Sequence, residues 1–336
     1  MQDQHHQERA RRIIEQHPRS PSPLAFVFAS DPQYPWTERT DAGLAETDEA
    51  QQIRSRDLIS EQYASIARLR AQEGAIEQVP LMINGDMTAF GHDWQRSTLY
   101  PLLEQHTRGN YLFGLGNHDY ANNLNDCFAN LCAYESAKAL IDRLRPQVDD
   151  MDLDKGRDSL PFDSVHRTGS LAYARLVGNY CLIQLNNEPT YHAVIQSNIV
   201  RGRSLLRRTL AITPALDWLE GWLAAATQAN LNIILNLHQP DSWKGDSQQV
   251  ERFRTMINCS RVLAVFAGHY HSLAGRFEAP DIYGDVPVFL SGSASQRTYL
   301  MAERDARFRQ LIIHLVRDND PRRLEILHTI LLDKHG

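Results

Sequence analysis

Five short apolar runs in this 336-residue chain each stop at a side chain able to hold a cation. "LAFVFAS" (24–30) runs into Asp31 and Gln33, and "VPLMING" (79–85) into Asp86. "NYLFGLG" (110–116) meets Asn117, His118 and Asp119. "LNIILNL" (231–237) delivers His238, and "VLAVFAG" (262–268) delivers His269 and His271. One strand ending in a polar residue is ordinary turn chemistry. Five of them in order require a fold that gathers strand ends in one place. Parallel α/β sheets do this at their carboxyl-terminal edge, where the crossover loops converge.

The segments between these runs fit that architecture. Helices are expected over 5–17, 44–73 (with Ile59, Tyr63 and Ile66 on one face), 93–106 and 213–230, the last with Thr213 as N-cap and Pro214 at its first position. Strand–helix–strand order at the start implies right-handed crossovers and a parallel ladder. Gly178-Asn179 marks a hairpin, and "VPVFLSGSA", "RQLIIHLVRD" and "RLEILHTILL" are expected to finish a sheet as antiparallel strands. Residues 1–23 form a polar N-terminal extension with helical character. Residues 24–336 form one domain, with an insertion at about 121–168 over one edge of the site, whose acidic stretch 149–158 disfavours a polyanionic substrate if it faces the site.

Composition narrows the function classes. The chain is 42% hydrophobic and 23% charged with a net charge of -6, the balance of a soluble globular protein without a basic footprint for nucleic acid. The arginines at 201, 203, 207 and 208 are read as a solvated face. No apolar run reaches the ~18–20 residues of a membrane span, and the polar N-terminus shows no secretory signal. The expected location is cytoplasmic, with signal-less export left open. Cys127, Cys132, Cys181 and Cys259 form no C-x-x-C pair, so reduced thiols are expected.

Carboxylate and amide oxygens combined with imidazoles suit Mn, Fe or Zn. The donors suffice for two ions sharing a bridging carboxylate. Gly85, Gly116 and Gly268 precede key donors and allow close backbone approach. No G-x-S-x-G elbow or other covalent nucleophile is visible.

At these residues the chain resembles the calcineurin-like metallophosphoesterases. That family carries D-x-H, G-D, G-N-H-[DE], a lone H and G-H-x-H; here they stand as Asp31-Pro32-Gln33, Gly85-Asp86, "GNHD" (116–119), His238 and "GHYH" (268–271). The resemblance implies a four-layer α/β/β/α sandwich with mixed sheets and two metal ions at the C-terminal ends of the strands. It implies that Asp86 bridges the ions, that Asp31, Gln33 and His271 complete one shell, and that Asn117, His238 and His269 complete the other. His118 would assist the transition state or leaving oxygen, with Asp119 orienting it. Gln33 departs from the usual histidine and offers a weaker, harder donor. The implied activity is hydrolysis of a small-molecule or protein phosphoester by metal-bound hydroxide, with monoesters favoured. A phosphodiesterase on a nucleotide or lipid headgroup and a non-catalytic scaffold are the alternatives. Tyr34, Trp36, His92, Tyr120 and Asn187 are candidate substrate contacts, each equally readable as packing.

Overall fold

The strand Asn232–Asn236 shows how the layers arise. Ile234 packs in one cluster with Tyr180, Leu182 and Phe266, whereas its neighbours Ile233 and Leu235 pack in another with Trp218, Trp222 and Phe253. Successive side chains of a strand point to opposite faces, so a run of apolar residues buries both. One face here meets a second sheet and the other meets helices. A computed structural model describes residues 2–18, 20–74, 78–154, 157–159, 164–201 and 204–332.

The first sheet has six strands in the order Leu324–Leu331, Gln310–Val316, Tyr299–Asp305, Ala25–Ala29, Leu81–Ile83, Leu112–Phe113. The last three run parallel. The second has seven, in the order Ala274–Phe277, Val288–Ser291, Val262–Ala267, Asn232–Asn236, Tyr180–Gln184, Tyr173–Val177, Asp150–Met151. Its central strands are also parallel. The two sheets meet face to face through aromatics: Phe28 stacks on Phe266 with centroids 3.6 Å apart, and Phe26 meets Tyr180 edge-on at 4.8 Å. Helix Asp48–Glu73 covers the outer face of the first sheet through Ile59, Tyr63 and Ile66. Helices Leu216–Gln228 and Ser247–Asn258 cover the second through Trp218, Trp222 and Phe253. The result is the α/β/β/α sandwich. A further four-stranded sheet, in the order Arg157–Ser159, Ser164–Thr168, Ser204–Ile212, Ala193–Arg201, extends from it.

Several expectations need correction. Val288–Ser291 joins the second sheet, parallel to Val262–Ala267, because the tail is divided between the two sheets; the strands from Tyr299 onward do close the first sheet antiparallel. The 213–230 helix starts at Leu216 after Ala215. Of the acidic stretch, the described aspartates 149, 150, 152 and 154 are engaged away from the ligand loops, Asp152 accepting Ser170 N and Asp154 accepting Thr168 N. Asp149 pairs with His17 and Arg175, and Asp150 pairs with Arg9 while accepting the indole N–H groups of Trp218 and Trp222. These contacts also seat helix Gln2–Gln16, whose Ala10 is buried in the same cluster. Cys127 and Cys132 form a disulfide with Cα atoms 5.7 Å apart, so the expectation of four reduced thiols fails for this pair. Ala129 and Asn130, both at positive φ, curl the intervening loop tightly enough to bring the two together. Cys181 is buried and free, and Cys259 is exposed and free. Arg201, Arg203 and Arg207 lie outside the residues whose side chains are described; Arg208 faces Glu135 and the Tyr134 ring. Among the described residues no helix is long and apolar enough to cross a membrane.

The stacked pair should dominate cohesion between the sheets. Phe28→Ala is expected to cost about 3–5 kcal/mol, read as a lower denaturant midpoint at unchanged slope. A midpoint within error of wild type would show that the sheets hold together without it.

Candidate metal centre

The loops after Ala25–Ala29 and Leu81–Ile83 are knitted together beyond the ladder. Asn84 N donates to Ala29 O at 2.8 Å, Asp31 N to Gly85 O at 3.2 Å, and Gln33 N to Asp86 O at 2.9 Å. Holding these bonds while turning the side chains inward forces Asp31 (φ 48), Gln33 (φ 36) and Asp86 (φ 47) into the left-handed region, which is sparsely used by non-glycine residues. Two glycines permit the approach of neighbouring loops. A Cβ at Gly116 would sit 2.2 Å from Asp86 Oδ1, and one at Gly268 would sit 1.8 Å from Ser30 Oγ.

Six of the seven expected ligands, Asp31, Asp86, Asn117, His238, His269 and His271, converge. His271 Nε2 lies 3.2 Å from Asp31 Oδ1. On the other side, Asn117 Oδ1 lies 2.9 Å from His238 Nε2 and 3.1 Å from His269 Nδ1. Asp86 Oδ2 is 3.2 Å from His238 Nε2, and donor atoms of Asp31, Asp86 and His238 lie within 4.8 Å of one another. Gln33 is 1% exposed, and neither its Oε1 nor its Nε2 has a hydrogen-bond partner.

This donor set fits a cation. His238 Nδ1 lies 2.8 Å from Asn84 O, which fixes the proton there in the neutral ring. The Nε2 lone pair then points at two acceptors, Asp86 Oδ2 and Asn117 Oδ1. Three lone pairs facing one another repel unless positive charge sits among them. A buried amide with both polar ends unpartnered is costly for the same reason. Without metal, protons fill the role. Burial alone would lower the imidazole of His238, but Asp86 and then Asp31 overcome it and raise it to about 9. His271 is likewise raised against burial, by Asp31 and Asp41, to about 10. Burial opposes ionisation of Asp86, yet His238 and His118 hold it down at about 2. His269 is lowered, by burial and then by His238.

Asp41 carries no motif and escapes sequence reading. It sits on the short helix Glu38–Asp41, capped by Thr37. Its Oδ1 lies 2.6 Å from His271 Nδ1 and accepts Trp36 Nε1 at 2.7 Å, while Oδ2 accepts Ser295 Oγ at 2.5 Å and Gln296 Nε2 at 2.7 Å. Burial works against its charge, but these bonds hold its carboxyl at about 2. The backbone carbonyl of Asn84 is the equivalent partner for His238. Carboxylate or carbonyl partners of this kind orient a ligating imidazole and raise its basicity.

His118 and Asp119, the expected catalytic pair, are held differently from that expectation. The His118 ring is held by Ala89 O, 2.8 Å from Nδ1, and its backbone N donates to Asp86 Oδ1 at 2.8 Å. The Asp119 carboxylate instead accepts from Gly116 N, Met87 N and Thr88 N, each at 3.0 Å. It clamps the Asp86 loop to the "GNHD" turn and does not orient the ring. Burial and the charge of Asp86 raise it to about 6. Among the substrate candidates, Trp36 stands at the site, edge-on to His118 at 5.5 Å and to His271 at 5.6 Å. Tyr34 is core, against Trp94, and Tyr120 is core, against Tyr191. Asn187 supports the His238 loop by accepting Gln239 N at 2.7 Å through its backbone. His92 lies apart, beside Phe90 and Asp126.

The chain matches the calcineurin-like phosphoesterase family over residues 24–273 and belongs to it. That membership makes it a metal-dependent phosphoesterase. No curated protein sequence matches it. Among solved structures, a conserved protein from Streptococcus pneumoniae described as a predicted phosphoesterase aligns at 10% identity, TM-score 0.32, over 89% of this chain and 91% of its own. A serine/threonine phosphatase from Saccharomyces cerevisiae aligns at 12% identity, TM-score 0.30, over 98% and 90%.

Two outcomes follow for metal binding. A cation must displace the protons on His238 and His271, so below about pH 9 binding should release protons, and apparent affinity should fall as pH falls. Calorimetric titration at one pH in two buffers of different ionisation enthalpy reads this directly; identical heats would refute it. Asp41→Asn should weaken metal affinity by roughly 10- to 100-fold with the fold intact by circular dichroism. Unchanged affinity would show that His271 needs no anionic partner.

Proposed function

We propose that the chain is a binuclear phosphomonoesterase, with Asp31, Gln33, Asp86 and His271 around one ion and Asp86, Asn117, His238 and His269 around the other. Mn, Fe or Zn held there would supply Lewis-acid polarisation of the phosphoryl group and activation of water. The observation that carries the reading is His118. Its Nδ1 is committed to Ala89 O, and its Nε2 has no hydrogen-bond partner among the described residues. The backbone bond from His118 N to Asp86 Oδ1 fixes that ring against the donor cluster. Nε2 is therefore the ring atom left free toward the site, and in the imidazolium form of His118 it hands its proton to a departing ester oxygen. Trp36 stands beside both His118 and His271 and narrows the approach, which favours a terminal phosphoryl group of a small molecule or a protein over one embedded in a chain.

The test compares para-nitrophenyl phosphate with bis-para-nitrophenyl phosphate, with Mn²⁺ and with chelator. Expected is metal-dependent turnover favouring the monoester, with kcat lowered roughly a hundred- to ten-thousand-fold in His118→Ala. A diester preference would replace the monoester reading. No turnover of either ester by metal-loaded protein would overturn both in favour of a binding scaffold.

A further inference from the structure

A second group of metal-ligating side chains lies outside the catalytic centre. A ring nitrogen of His92 and the Sγ atoms of Cys127 and Cys132 lie within 4.8 Å of one another. Asp126 flanks this trio on the His92 side, its Oδ2 3.8 Å from His92 Nε2, and must swing toward the sulfurs to serve as a fourth ligand. None of these four belongs to the family motifs. The two cysteines form a C-x4-C pair, a spacing common to tetrahedral zinc sites. Tetrahedral geometry at Zn–S ≈ 2.3 Å and Zn–N ≈ 2.0–2.1 Å sets neighbouring ligand atoms roughly 3.3–3.8 Å apart, so small side-chain movements suffice. The chain carries backbone strain here. Asn125 (φ 67), Ala129 (φ 52) and Asn130 (φ 55) are all left-handed and none is glycine, and the curl they impose brings the two sulfurs together beside His92. His92 and Asp126 are part-exposed, which leaves an entry path.

We propose that the reduced form of this loop binds one Zn²⁺ through Cys127, Cys132, His92 and Asp126, as an alternative to the Cys127–Cys132 disulfide. Two thiolates, an imidazole and a carboxylate make a closed four-coordinate set, and the soft sulfurs select Zn²⁺ over Mn²⁺. The site joins two segments that hold the catalytic histidine. The first is 89–92, whose Ala89 carbonyl faces His118 Nδ1. The second is the loop 122–132, whose Asn123 Nδ2 donates to His118 O at 2.6 Å. Conversion between the forms balances with a trialkylphosphine as reductant. The phosphine takes oxygen from water to become its oxide, the S–S bond takes the two electrons and two protons, and Zn²⁺ then displaces the two thiol protons.

The test uses the full chain. The catalytic donors are all oxygen and nitrogen, so sulfur-to-metal charge transfer reports on this loop whatever the outcome of the phosphatase assays. After phosphine treatment, Co²⁺ should produce a thiolate-to-cobalt charge-transfer band that saturates within three equivalents, two of them taken up by the catalytic centre, and is displaced by Zn²⁺. The band should vanish in Cys127→Ser/Cys132→Ser, which retains Cys181 and Cys259, and weaken in His92→Ala. A second measurement needs no variant: Zn²⁺ should slow iodoacetamide alkylation of Cys127 and Cys132 at least about tenfold while leaving Cys259 unaffected. No band in the reduced wild type overturns the proposal. So do a band that survives the double substitution, alkylation indifferent to Zn²⁺, or a bridge that resists the phosphine in the folded chain.

Discussion

The stacking of Phe28 on Phe266 is the contact on which the site depends. Asp31 follows Phe28 by three residues; His269 follows Phe266 by three as well, and His271 by five. The two rings therefore set the relative height of two strands that belong to different sheets and share no ladder. A one-residue slip of either strand would turn its donors to the opposite face. The inter-sheet core and the metal centre are in this sense one construction, with the aromatics as its floor and the ligands as its rim. The parallel partners extend the arrangement, because each brings its own loop to the same edge.

Within that rim the electrostatics centre on Asp86. It meets His238 through one oxygen and the His118 backbone through the other. Its charge also falls on Asp119, which is buried and raised as a result. Asp86, which faces the donor cluster, is thus also a carboxylate that holds the "GNHD" turn in place. Each imidazole with a second anchor finds it outside the cluster: His238 in the Asn84 carbonyl, His271 in Asp41 and His118 in Ala89.

The donors and the sandwich were legible because they follow from strand periodicity and from motifs at strand ends. What supports them was not. Asp41 reaches His271 across 230 residues of sequence, from a four-residue helix that no periodicity announces. Ala89 and Asn84 act through backbone carbonyls, which any residue type supplies. Asp119 invited pairing with its neighbour His118, yet adjacent residues on a tight turn diverge, and three backbone N–H groups captured the carboxylate first. Tyr34 follows Gln33 and Tyr120 follows Asp119, and both point into the core, since a tight turn that aims one side chain one way sends the next one away. The Cys127–Cys132 bridge depends on a loop conformation built from left-handed alanine and asparagine, a departure from ordinary preference that composition does not reveal.

The left-handed backbone at Asp31, Gln33, Asp86 and His269 has a consequence for how this centre can vary. A β-branched side chain is a severe misfit in that region, whereas asparagine, aspartate and glycine enter it readily. The backbone thus filters substitutions before metal chemistry does. Short oxygen donors pass that filter more easily than bulky alternatives, so drift at these positions is channelled toward other hard-ligand centres. The repertoire of ions open to descendants of this chain is written partly in its torsion angles.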